Sequence, residues 1–122
     1  MNKPTLLICD DEGGIRDAYK LLFEEDYNLF FASNGKEAVD YLRRSNPDLT
    51  IMDIKMPVLN GLDALKQMMA AKPGAKVLIV TGYESIDVAA EAVNLGAADY
   101  LTKPFERREV TEKVRSLIGL AP

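Results

Sequence analysis

Short apolar runs alternate along this chain with longer stretches in which apolar residues return every third or fourth position. The runs Thr5 to Cys9, Asn28 to Ala32, Leu49 to Met52, Lys76 to Thr81 and Asp99 to Thr102 are four to six residues long, too short for buried helices and mostly rich in Leu, Ile and Val. They predict five strands. Between and after them, Ile15, Tyr19, Leu22 and Phe23 keep helical spacing, as do Leu62, Leu65, Met68 and Met69, then Ile86, Ala89, Ala90 and Val93, and finally Val110, Val114, Leu117 and Ile118. A further helix, from about Gly35 to Arg43 on the strength of Ala38, Val39 and Leu42, is expected to be the shortest of five. Asn34-Gly35, Asn60-Gly61, Pro73-Gly74 and Gly96 mark the junctions, where glycine tolerates a left-handed or tight backbone. Strict alternation of strand and helix with short loops predicts an α/β domain: a parallel sheet covered on both faces by right-handed crossovers. Periodicity leaves the order of the strands open.

Composition narrows the class. A chain of 122 residues, 48% hydrophobic, holds one core, so residues 1–122 are read as a single domain. The net charge of −4 and the absence of any basic block longer than two residues speak against binding nucleic acid, which draws its affinity from Lys and Arg on phosphates. There is no histidine, which excludes imidazole zinc sites and histidine-based triads. The one cysteine, Cys9, falls inside the first apolar run, the usual place of a small buried hydrophobe. No run reaches the length of a signal peptide core or a membrane span, and a cytoplasmic setting without membrane contact is the expectation.

In a parallel sheet, chemistry gathers beyond the carboxyl ends of the strands. There the chain places Asp10-Asp11-Glu12 after the first strand, Asp53 after the third, Thr81-Gly82 at the fourth and Lys103-Pro104 at the fifth. If the first and third strands are neighbours, Asp10, Asp11 and Asp53 converge and repel one another. A divalent cation resolves the conflict, since its two positive charges and that of Lys103 balance three carboxylates. Oxygen donors of this kind suit Mg2+, with Mn2+ also possible. The backbone carbonyl of Lys55 is a candidate neutral ligand. Asp53 is then placed as a nucleophile toward a phosphoryl group whose oxygens are held by the metal, by Lys103 and by the Thr81 hydroxyl, and the product is an aspartyl phosphate.

Four segments in order, "CDDEGGIR", "PDLTIMDIKMPVLNGLDAL", "VLIVTGY" and "GAADYLTKPF", closely resemble the receiver domain of bacterial two-component response regulators, over essentially the whole chain. The resemblance implies a flavodoxin-like (βα)5 three-layer sandwich with a five-stranded parallel sheet of order 2-1-3-4-5. It implies Asp53 as phosphoacceptor, Asp10 and Asp11 as magnesium acids, Thr81 as switch hydroxyl, Lys103 as the phosphate-contacting lysine, Tyr100 as the aromatic switch, and a cis bond before Pro104. It further implies a phosphorelay signalling function, in which phosphorylation shifts a population of two states and remodels the surface of the fourth helix, fifth strand and fifth helix, roughly residues 84 to 118.

The implied partners are a sensor histidine kinase or histidine phosphotransfer protein as donor, and a downstream protein target. The implied assembly is a monomer or a weak phosphorylation-dependent dimer. Ile15 opens the apolar stripe of the first helix, and Arg16 and Asp17 are expected on its solvent side, where a donor would approach. Lys55 and Tyr83, each two residues beyond a site residue, are large and lack a group that orients water, so slow self-dephosphorylation is expected. Three other readings compete: a receiver excised from a longer DNA-binding or ATPase regulator, a receiver-like interaction module without phosphorylation, and a magnesium phosphohydrolase. The last fits poorly, because such enzymes carry nucleophile and general acid two residues apart on the first strand.

Overall fold

The computed structural model describes residues 3–55, 59–82 and 86–120. Its elements run β1 (Thr5–Cys9), α1 (Gly13–Phe23), β2 (Asn28–Ala32), α2 (Gly35–Arg44), β3 (Leu49–Asp53), α3 (Gly61–Ala71), β4 (Val77–Gly82), α4 (Ile86–Asn94), β5 (Asp99–Lys103) and α5 (Arg107–Ile118). All strand pairs are parallel, and the sheet order is β2-β1-β3-β4-β5. Strands one and three are therefore neighbours, with Cys9 opposite Met52, as the convergence of the acids requires.

Alternation along the central strands sorts the core into two layers, as the two-residue repeat of a strand dictates. Leu7, Cys9, Met52, Val77 and Ile79 pack with Ala38, Val39 and Leu42 of α2, Ala64, Leu65 and Met68 of α3, and Ala92 of α4. Leu6, Ile8, Leu49, Ile51, Leu78, Val80 and Leu101 pack with Tyr19 and Phe23 of α1 and Val110 and Val114 of α5. With helices on both faces, β1, β3 and β4 are buried along almost their whole length, and this is why they read as continuous apolar runs. The edge strand β2 instead leaves Phe30 and Phe31 exposed. No helix among the described residues is long and apolar enough to cross a membrane.

One expectation changes: among the described residues α4 spans nine residues, against ten for α2, which runs one residue further than its apolar pattern because Arg44 continues the helix on the solvent side. Of the left-handed or tight backbone expected at the junctions, the Asn-Gly pairs take the tight form, at helix starts. Asn34 and Asn60 are N-caps, their side chains accepting from Glu37 N at 2.9 Å and Asp63 N at 3.0 Å. Among the described glycines, Gly96 and Gly119 are the ones with positive φ. Gly35 and Gly61 are required by close approach: a Cβ would stand 2.2 Å from the Leu59 carbonyl oxygen at Gly35, and 2.5 Å from the Asp53 carbonyl oxygen at Gly61. The Gly35 and Gly61 amides donate to Leu59 O at 3.2 Å and Ile54 O at 2.9 Å, so the chain after β3 is held from two sides.

Cys9 is 1% exposed and donates its thiol to the Asn34 carbonyl at 3.2 Å. Burial first, and then the negative charges of Asp10, Glu37, Asp53 and Asp11, push its pKa up to about 12. The thiol stays protonated, in keeping with a packing role.

Candidate functional site

Each charged side chain of the site stands where a strand ends. Asp10 directly follows β1, and its amide extends the ladder by donating to Ala32 O at 3.2 Å. Asp53 and Lys103 are the last residues of β3 and β5, one residue beyond the ends that the apolar runs alone indicate. The strand pattern persists because the backbone ladder does, although the side chains have turned polar; Asp53 is still in register with Val80 and Lys103 with Gly82.

The acids meet as expected. Asp10, Asp11 and Asp53 each offer a carboxylate oxygen, and these oxygens lie within 4.8 Å of one another. Asp10 and Asp53 are 2% and 8% exposed, whereas Asp11 faces solvent. The Lys103 ammonium bridges the two buried acids, donating to Asp53 Oδ2 at 3.0 Å and Asp10 Oδ2 at 3.4 Å. Burial is the largest single influence on Lys103 and pulls its pKa down. The hydrogen bond and charge of Asp53, together with Asp10, outweigh it, and the net shift is upward. The lysine thus stays charged at neutral pH, and its favourable contribution to stability is lost only as pH rises through that raised value.

The remaining carboxylate oxygens take backbone donors: Asp10 Oδ1 accepts from Glu12 N at 2.9 Å and Asp53 Oδ1 from Lys55 N at 3.3 Å. The Lys55 side chain is exposed, and through its amide the backbone of Lys55 borders the site. Thr81 is buried at the end of β4, in register with Thr102. Tyr100 on β5 pairs with Ile79 on β4 and is 38% exposed. The bond between Lys103 and Pro104 is cis, as the sequence resemblance implies. Tyr83 lies outside the described residues.

One expectation fails. Arg16 is half-buried, not free on the solvent side, and its Nη1 donates to the Asp10 carbonyl at 3.2 Å, fastening the first loop behind the acid. Its place one turn into α1 brings it back over the strand end, a signal present in the Asp-to-Arg spacing that the apolar stripe of α1 obscures. Asp17 is exposed, as expected.

A 2-1-3-4-5 sheet carrying three acids and a lysine at its carboxyl edge defines a phosphoryl-transfer signalling domain of the flavodoxin-like class. The family model for the response regulator receiver domain matches residues 6–115, and the chain belongs to that family. It is 35% identical over 121 residues to sporulation initiation phosphotransferase F of Bacillus subtilis, covering 98% of both chains. The receiver domain of the Francisella response regulator 1452 superposes with a TM-score of 0.88 at 32% identity, covering 96% of this chain and 98% of that one. CheY in the CheX-CheY-BeF3-Mg complex of Borrelia burgdorferi superposes with a TM-score of 0.89 at 26% identity, covering 95% of this chain and 90% of that one.

Asp11 is the acid that Lys103 leaves uncompensated, and it faces the solvent from which a cation enters. Asp11→Asn is therefore expected to weaken Mg2+ binding by about tenfold or more. Unfolding free energy without metal should stay unchanged or rise by about 1 kcal/mol, the scale of a relieved like-charge contact. Titration calorimetry and urea melts of the same variant check both halves. Undiminished Mg2+ affinity would remove Asp11 from the ligand set.

Proposed function

We propose that this receiver domain is a phosphoacceptor switch that takes a phosphoryl group onto Asp53 from a phosphohistidine of a kinase or phosphotransfer protein. The observation that carries the reading is the Lys103 bridge between Asp53 and Asp10, with Asp11 inside the same 4.8 Å cluster. In the transfer, a carboxylate oxygen of Asp53 forms a bond to phosphorus as the donor's N–P bond breaks, and the imidazole leaves with the electron pair. The Asp53 nucleophile is held by two donors of its own chain, Lys55 N and Lys103 Nζ, so placement in line is its main requirement. Lys103 keeps its charge and is free to follow a phosphoryl oxygen once Asp53 is esterified.

The donor set of Asp10, Asp11 and Asp53, joined by the Lys55 carbonyl, fits Mg2+. Mn2+ shares the same preference for oxygen donors. When bound, such a cation supplies charge that offsets the acids and the phosphoryl oxygens. The BeF3 and Mg of the Borrelia complex support this reading.

Thr81 donates its hydroxyl to a phosphoryl oxygen, and Tyr100, partly exposed here, moves inward in the phosphorylated state. The covalent group acts by its different affinity for the two states. The surface of α4, β5 and α5, roughly residues 84–118, is what a downstream protein reads, as a monomer or a weak phosphorylation-dependent dimer, and without direct contact to nucleic acid.

Incubation with acetyl phosphate and Mg2+ is expected to add one phosphoryl group by intact mass, and none in Asp53→Asn or in the presence of chelator. Equal labelling of Asp53→Asn would refute the assignment. After donor removal, decay should be slow, because Lys55 and Tyr83, each two residues beyond a site residue in the sequence, are bulky and lack a group that orients water. Lys55→Asn combined with Tyr83→Glu is expected to speed it by about tenfold, about 1.4 kcal/mol of barrier. Equal half-lives would contradict the steric account.

A further inference from the structure

We propose that Tyr19 is a positioning residue for phosphoryl transfer: its ring holds, through Phe105, the segment that carries the Lys103 ammonium. The inference rests on the reading of Asp53 as phosphoacceptor and adds a residue that lies outside the acids, the lysine and the switch pair. Tyr19 is a helix residue of α1 and 2% exposed. Its ring stacks on Phe23 at 6.3 Å and 20°, and on Phe105 at 6.4 Å and 26°, both within the range of favourable aromatic contact. Phe105 follows Lys103 by two residues across Pro104, so the stack ties the floor of α1 to the end of β5.

The same segment borders open space. A cavity of about 500 Å³ lies between α1 and the chain after β5, walled by Ile15, Tyr19, Leu22, Lys103, Pro104 and Phe105. A smaller side chain at position 19 would add its volume to that cavity and leave Phe105 without its stacking partner. Lys103 would then be free to drift, while its bonds of 3.0 and 3.4 Å leave little tolerance. The hydroxyl is not the working group. Burial, followed by the negative charge of Asp10 and Asp53, raises its pKa and keeps it a neutral phenol, so the contribution is the shape of the ring.

The test compares Tyr19→Leu with Tyr19→Phe, each with Lys103 present and with Lys103→Met. It reads the rate of labelling by acetyl phosphate at saturating Mg2+ and, separately, Mg2+ affinity. Tyr19→Leu is expected to label about tenfold more slowly or worse, the scale of a modest misplacement of a reacting group, with Mg2+ affinity within about twofold. Tyr19→Phe should restore the wild-type rate, and in the Lys103→Met background Tyr19→Leu should add no further slowing. Should Tyr19→Leu fail to fold, Tyr19→Met, equally long but without a planar face, carries the same expectations. Labelling of Tyr19→Leu at the wild-type rate, parallel loss of rate and Mg2+ affinity, or undiminished slowing without Lys103 would each overturn the inference. A wild type that takes no label would overturn the phosphoacceptor reading and this inference with it.

Discussion

Three carboxylates share one end of the sheet, and the Lys103 ammonium joins the two that are buried. Lys103 reaches from β5 across the end of β4 to Asp53 on β3 and to Asp10 after β1, and so touches the two acids that burial would otherwise penalise most. A carboxylate removed from water without a partner costs several kcal/mol, far more than any one strand contact returns. The third acid stays in water. The arrangement is incomplete by one positive charge or more, and that deficit is what makes the site receptive to a cation and, with it, to a phosphoryl group.

The rest of the molecule can be understood as the frame for this contact. Parallel pairing sets the strand ends side by side, and apolar layers on both faces keep β1, β3 and β4 from shifting. The loops are fixed by specific chemistry: Arg16 on the Asp10 carbonyl, and Gly61 pressed so near Asp53 that no side chain fits. The acids and the lysine are thus placed by a rigid frame, and under the proposed function Thr81 and Tyr100 are the residues that report the change of charge.

Much of this was legible in the chain because the apolar runs and the polar residues that end them are local patterns. Strand limits fall within one residue, and Asp10, Asp53, Thr81 and Lys103 could be found as the polar residues that close each run. Strand order was legible only through the four resembling segments, since periodicity carries no information about which strands pair. Contacts made across the fold escaped. The return of Arg16 to Asp10 depends on where α1 docks, and the need for Gly35 and Gly61 depends on the approach of a loop, not on their own φ. Likewise, Tyr19 reads as one more apolar stripe position until Phe105 is seen against it.

The central claim is that positive charge at the strand ends holds the acids together, and that a cation can take over this work. Unfolding free energies of Lys103→Met, measured with and without saturating Mg2+ beside the wild type, test it most directly. Without metal the variant should lose about 2 kcal/mol, the scale of charged hydrogen bonds removed from buried acids. Mg2+ should recover most of that loss and so stabilise the variant more than it stabilises the wild type. A Lys103→Met protein as stable as wild type without metal, or one that gains no more than wild type from Mg2+, would contradict the account.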